Sequence, residues 1–179
     1  MDVKKVLTDT QLKAKDKVNA VCKMLLDDEV TLVDLIETAK LSVGSNKANC
    51  IEAIESATRQ RPEIASVDCL KFVTKTLLDE SPRVKWESAK VIGNIVHLYP
   101  DKLDRAVCNL LINSEFPGTV VRWSAAFALG QIVKLGTRRN KELVPAVEAI
   151  VSREKDRAIQ KLYQAALKQA ANNSNKKPA

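Results

Sequence analysis

The residues of this chain best able to do chemistry are few, and most catalytic chemistries fail on them at once. There is a single histidine, His97, so no multi-histidine metal site can form. The sequence holds no Gly-rich phosphate loop, no Cys-x-x-Cys pair and no nucleophile elbow. Its four cysteines, Cys22, Cys50, Cys69 and Cys108, are irregularly spaced, each among apolar neighbours in a helical pattern, and read as reduced core residues and not as a disulfide framework. What remains is recognition chemistry. Trp86 and Trp123 stand among Lys90, Phe127 and Lys134. Large rings supply contact area and cations supply steering toward a peptide or helix. The same mixture suits single-stranded nucleic acid, whose bases stack on rings and whose phosphates attract cations.

Two loop clusters add positive charge: Arg138, Arg139 and Lys141 after Gly136, and Arg153, Lys155 and Arg157 further on, the latter diluted by Glu154 and Asp156. If they share an edge with Arg122, then Arg122, Arg138, Arg139, Arg153 and Arg157 would form an anion-binding rim. Charge is unevenly spread along the chain. Residues 1 to 82 carry 12 Lys+Arg against 14 Asp+Glu, whereas residues 83 to 179 carry 17 against 8, so the net +7 belongs to the C-terminal half.

Elements must position these groups, and composition says which kind. With 45% apolar residues but only 5 Gly and 6 Pro, the balance is that of a helix-rich globular protein. Aromatics make up only 4%, so Leu, Ile, Val and Ala must close the core, as they do between stacked helices. No stretch approaches the roughly 20 consecutive apolar residues of a membrane span, and Met1-Asp2-Val3-Lys4-Lys5 leads into no signal-like segment. A soluble, cytoplasmic protein without cofactor or metal is expected.

Internal self-similarity is the strongest signal. The stretch Val84-Lys85-Trp86-Glu87-Ser88-Ala89-Lys90-Val91-Ile92-Gly93-Asn94-Ile95-Val96 recurs 37 residues later as Val121 to Val133, with Trp123 on Trp86 and Gly130 on Gly93. A looser copy follows at Ile159 to Leu167 and a weaker one precedes it around Ala48 to Ala57. Counting from Val84 or Val121, small or apolar residues fall at +4, +5, +8, +11 and +12, one stripe of a helix. Each copy follows a second helical pattern, at about Thr31 to Ser42, Ser66 to Leu78, Asp101 to Asn113 and Lys141 to Ser152. Ser81-Pro82 starts one helix, Tyr99-Pro100 ends it, and Pro117-Gly118 marks another junction. A helix over Thr10 to Leu26 would cap the N-terminal end, giving one domain over 1–171 and a disordered tail over 172–179.

A turn carrying an acid and a proline, then Val-Arg/Lys, a small residue, a leucine-like residue and Gly, resembles the HEAT repeat family. Here Asp79, Pro82, Val84, Lys85, Ser88, Ile92 and Gly93 match it, as do Val121, Arg122, Ala125, Leu129 and Gly130. The resemblance covers roughly residues 30 to 170, and a related armadillo-like stack fits as well. It implies an all-α, right-handed α-α superhelix of about four helical hairpins. A single hairpin buries one face only, so neighbours must stack to close the core. The resemblance further implies that Lys85 and Arg122 pair with turn acids, and that the second helix of each hairpin lines a concave surface.

Positions +2, +6, +9 and +13 share a face beside the core stripe, reading Trp86, Lys90, Gly93, His97, then Trp123, Phe127, Gly130, Lys134, then Lys161, Ala165, Lys168. The expected groove therefore comprises Trp86, Lys90, His97, Trp123, Phe127, Lys134 and Lys161, either as a binding stripe or with the tryptophans filling seams between helices. Enzymes of this type exist. The deoxyhypusine hydroxylases need His-Glu pairs, absent here, and the HEAT-like alkylpurine DNA glycosylases need a catalytic Asp beside their tryptophans, where this chain offers only Glu87, expected on another side of its helix. The reading is a non-enzymatic scaffold for a protein or peptide partner, monomeric, with nucleic-acid binding by the basic half as its rival.

Overall fold

The computed structural model describes residues 2–174, in which ten α-helices follow one another without a strand. They are α1 Val3–Thr8, α2 Ala14–Leu26, α3 Leu32–Leu41, α4 Gly44–Gln60, α5 Val67–Thr76, α6 Pro82–Ile95, α7 Asp104–Asn113, α8 Thr119–Lys134, α9 Asn140–Arg153 and α10 Arg157–Ser174. Their starts are written in the sequence. Thr31 and Ser66 place hydroxyl oxygens to accept from the N–H groups of Asp34 and Cys69, each at 3.1 Å, satisfying donors that the first helical turn leaves free. Ser81 precedes α6 and Pro82 fills its first position, where a missing N–H costs nothing. After α8 the chain turns through Gly136 at φ 63°, the left-handed region in which a helix can end sharply only where no Cβ interferes.

Packing sorts the helices into two layers. Helices α2, α4, α6, α8 and α10 each lie against the next, making a continuous inner layer, while α3, α5, α7 and α9 each pack on the helix that follows. The result is a stack of helical hairpins from α3–α4 to α9–α10, headed by α1 and α2. Between the layers Leu35, Ile51, Ile54, Leu77, Ile92, Leu110, Leu129 and Ile132 are fully buried, each contributing about 1.5–3 kcal/mol by leaving water. Aliphatic side chains do nearly all of this work, as the scarcity of rings requires.

Polar ties join successive hairpins. Lys47 of α4 lies 2.5 Å from Asp79 in the turn before α6. One hairpin on, the ammonium of Lys85 sits 5.5 Å from the ring centre of Phe116, before α8. Next, Arg122 of α8 grips Glu154, before α10, with Nε 2.9 Å from Oε2. The pairing of Arg122 with a turn acid thus follows the family pattern, whereas Lys85 meets an aromatic ring and the Leu77 carbonyl instead.

Three details depart from expectation. The short helix α1 was not anticipated; Asp2 caps it at the Lys4 N–H, and Val3, Val6 and Leu7 bury its one apolar face. Helix α10 continues through Ser174, into the segment expected to be a tail, and residues 175–179 lie outside the described residues. Cys22, Cys50 and Cys69 are buried and free, but Cys108 is exposed on α7 and belongs to no core. Among the described residues no helix is long and apolar enough to cross a membrane, and no group of three His, Cys, Asp or Glu side chains could hold a metal ion.

Candidate recognition surface

The side chains expected to form a groove come from α6, α8 and α10 of the inner layer, but the two tryptophans do not share an environment. On α6, Trp86 is half-buried and its indole N–H donates to Glu87 Oε1 at 2.6 Å, so the Glu87 carboxylate reaches the ring from which its helical position was expected to part it. Lys90 Nζ lies 2.7 Å from Glu87 Oε2 and 3.6 Å from Glu55 Oε2 of α4. Burial pushes the Glu87 carboxyl above its ordinary value, and the Lys90 ammonium and the Trp86 N–H only partly oppose this. Arg83 bridges back to Glu52 and Asn49 in the same way. This stretch is a network of ion-paired groups, in which Glu87 Oε2 meets Lys90 as an ion pair without a well-aligned hydrogen bond. His97 falls in a short 3-10 turn, Val96–Leu98, because α6 ends at Ile95; it is exposed and out of helical register with Lys134, the last residue of α8.

On α8 the picture is open. Trp123 is 41% exposed and stacks on Phe127, with ring centroids 6.1 Å apart and planes 3° from parallel. Phe127 in turn covers Gly93 of α6, where an added Cβ would come within 2.3 Å of the ring. The recurring glycine is therefore a seam position at which one inner helix admits a side chain of the next. Gly130 does the same more loosely: a Cβ added there would come within 3.2 Å of the Cβ of Ala166 on α10. Beyond the seam, Lys134 is half-buried and Lys161 and Lys168 are exposed, with no acid partner for any of them among the described residues. Neither α8 nor α10 contains an Asp or Glu.

The arginines of the expected rim are mostly engaged. Arg122 holds Glu154 and also donates to the carbonyls of Phe116 and Pro117 at 3.0 and 2.9 Å. Burial would raise the Glu154 carboxyl, but Arg122 and the N–H groups of Asp156 and Lys155 outweigh it and hold it below the ordinary value. Arg139 pairs with Asp104, and Arg153 with Glu115, each reaching across to the preceding hairpin. Only Arg138 and Arg157 are exposed without a partner among the described residues.

A different feature escaped the sequence reading. Between α3 and α5 on the outer layer runs a trough of about 980 Å3 floored by Ile36 and Phe72 and edged by Val33, Leu78, Lys40 and Lys75. A smaller one of about 560 Å3, with Leu70, Lys102 and Arg105, continues it between α5 and α7. The signal available was the apolar residue on an outward position of a first helix, as at the exposed Val33.

No family model matches the sequence, and no curated protein matches it. Solved structures do. A computationally designed armadillo repeat protein for modular peptide recognition superposes with TM-score 0.72 at 19% identity, over 93% of this chain and 80% of that one. The designed armadillo repeat protein YIII(Dq)4CqI gives 0.69 at 18% identity, over 94% and 80%. The designed armadillo repeat protein YIII(Dq.V1)4CPAF, in complex with the peptide (KR)4, gives 0.69 at 19% identity with the same coverage. Identity this low speaks to the fold alone. The chain is an armadillo/HEAT-like α-solenoid.

Proposed function

We propose that the protein is a non-enzymatic scaffold that holds a peptide segment of a protein partner along its inner helices, in the reducing setting of the cytoplasm that suits its free cysteines. The observation that carries this reading is the Trp123–Phe127 stack, a large apolar platform left 41% exposed at Trp123, on an inner layer where Lys134, Lys161 and Lys168 have no acid partner among the described residues. A tryptophan needed only for packing would be covered; an exposed one beside cations has the make-up of an interface anchor. The likeness in fold to a designed armadillo repeat protein in complex with a peptide supports a peptide ligand. Nucleic-acid binding draws no support from those neighbours, and the committed state of Arg122, Arg139 and Arg153 weakens the positive edge it would use.

The test is selection of a random-peptide display library on immobilised wild type and, in parallel, on Trp123→Ala with an unchanged melting temperature. Enrichment of a shared motif on the wild type that disappears on the variant is the expected result. Equal enrichment on both would move recognition away from α8, and no enrichment on either would leave the scaffold reading without a ligand and overturn it.

A further inference from the structure

Charge along the inner layer narrows the class of partner, and the following rests on the peptide-binding reading above. On α4 and α6 every acid of the inner layer has its cation: Glu52 with Arg83, Glu55 and Glu87 with Lys90. On α8 and α10 the balance is broken. These two helices hold no Asp or Glu, and Arg122 alone among their cations is neutralised, by Glu154. Lys134, Lys161 and Lys168 therefore leave uncompensated positive charge beside the Trp123–Phe127 platform.

From this we infer that the C-terminal half of the inner surface recognises an acidic peptide with an apolar anchor, its anchor side chain lying on Trp123 and its carboxylates on Lys161 and Lys168. Register makes the pattern concrete. Lys161 occupies in α10 the repeat position that Trp123 occupies in α8, and these two inner helices pack on each other with Gly130 against Ala166, so equivalent positions lie within about two residues of the same level. Packed helices lie about 8–10 Å apart, and an extended peptide advances about 3.3 Å per residue. A segment crossing the layer places an Asp or Glu about three residues from its apolar anchor. Lys168 lies two helical turns along the same face from Lys161 and takes a second carboxylate. Such a peptide carries the opposite charge to (KR)4, the peptide in complex with one of the designed armadillo repeat proteins.

Fluorescence anisotropy of labelled octamers with the full chain tests this, at about 50 and 200 mM salt. The probes are (Leu-Asp-Asp-Glu)2, its neutral counterpart (Leu-Asn-Asn-Gln)2, (Lys-Arg)4 and the oligonucleotide (dT)8. Expected is at least about tenfold tighter binding of the acidic peptide than of the neutral one at low salt, falling several-fold at the higher salt as exposed charges are screened. Lys161→Gln/Lys168→Gln, at exposed positions with no partner among the described residues, should cut the affinity about tenfold without changing the melting temperature, and Trp123→Ala should weaken acidic and neutral peptides alike. Equal binding of acidic and neutral peptides, or preference for (Lys-Arg)4, would overturn the acidic specificity and leave the peptide groove standing. Binding of (dT)8 above every peptide, or of no probe at all, would overturn both.

Discussion

At the scale of single residues, the contact between Gly93 and Phe127 is where fold and surface meet. A methyl group at Gly93 would run into one edge of the Phe127 ring, and that ring stacks on Trp123. Gly93→Ala gains about 1 kcal/mol of helix propensity but overpacks the seam at a cost of about 1–3 kcal/mol, so a net fall in melting temperature and a shift in Trp fluorescence are expected. In a Phe127→Leu background the same substitution should become neutral or stabilising; equal costs in the two backgrounds, read from denaturant titrations, would show that the ring is not the obstacle. Gly130→Ala, facing only the methyl of Ala166, should cost less than Gly93→Ala. The recurrence of Trp and Gly was plain in the sequence; the fate of each tryptophan was not. Periodicity places Trp86 and Trp123 on equivalent faces, yet Trp86 is followed by Glu87, which takes its N–H, and Trp123 by Ser124, whose hydroxyl donates to its own helix at Val121. Equivalent position is set by the backbone, whereas exposure is set by which neighbour can offer an acceptor.

Among the elements, the turns preceding α6, α8 and α10 tie one hairpin to the one before, and two of these ties titrate. Asp79 and Glu154 are both held below the ordinary carboxylate range: burial pushes each up, and hydrogen bonds from Lys47 and Arg122, with backbone N–H groups, more than reverse it. Their stabilisation is fully present above the unfolded values near 4 and is lost as pH falls through the folded ones. The melting temperature should therefore drop between about pH 5 and pH 3. Glu154→Gln should destabilise the fold at pH 7 by an amount on the order of 3 kcal/mol, as for a broken buried pair, and flatten the acid limb. Glu87 has the opposite sign, because burial raises its carboxyl, so the folded state takes up its proton first and gains stability on acidification. Glu87→Gln should steepen the acid limb; a slope unchanged in both variants would detach these carboxylates from acid unfolding. Some helix starts were legible in the sequence, since Ser66, Ser81, Pro82 and Gly118 are local signals that act over one turn, whereas α2 starts at Ala14 and α7 at Asp104, each after the Thr10 and Asp101 that periodicity suggests. Helix α1, six residues long, is too short to show a period, and its order comes from burying Val3, Val6 and Leu7 against helices that periodicity alone does not bring to it.

For the whole molecule, a layer in which each inner helix touches only its two neighbours makes stability a chain of local couplings. Helix α6 is flanked by α4 and α8, whereas α10 has α8 on one side and no inner helix on the other among the described residues. Ile92 of α6 and Ile159 of α10 are both almost fully buried, so either change to alanine should remove about 2–5 kcal/mol. The consequences should differ in extent. Loss at Ile159 opens α9 and α10 while α4 and α6 keep each other covered; loss at Ile92 weakens the helix through which both halves of the stack are joined. Native-state hydrogen exchange reads this directly: Ile159→Ala should raise exchange in α9 and α10 alone, and Ile92→Ala across α4, α6 and α8. If Ile159→Ala instead raised exchange uniformly along the chain, the solenoid would be one cooperative unit, and an acidic ligand on α8 and α10 would then stabilise α2 as much as α10. Under nearest-neighbour coupling that protection fades toward the N-terminus, leaving the α4–α6 stretch, whose acids are already paired, indifferent to what the C-terminal half has bound.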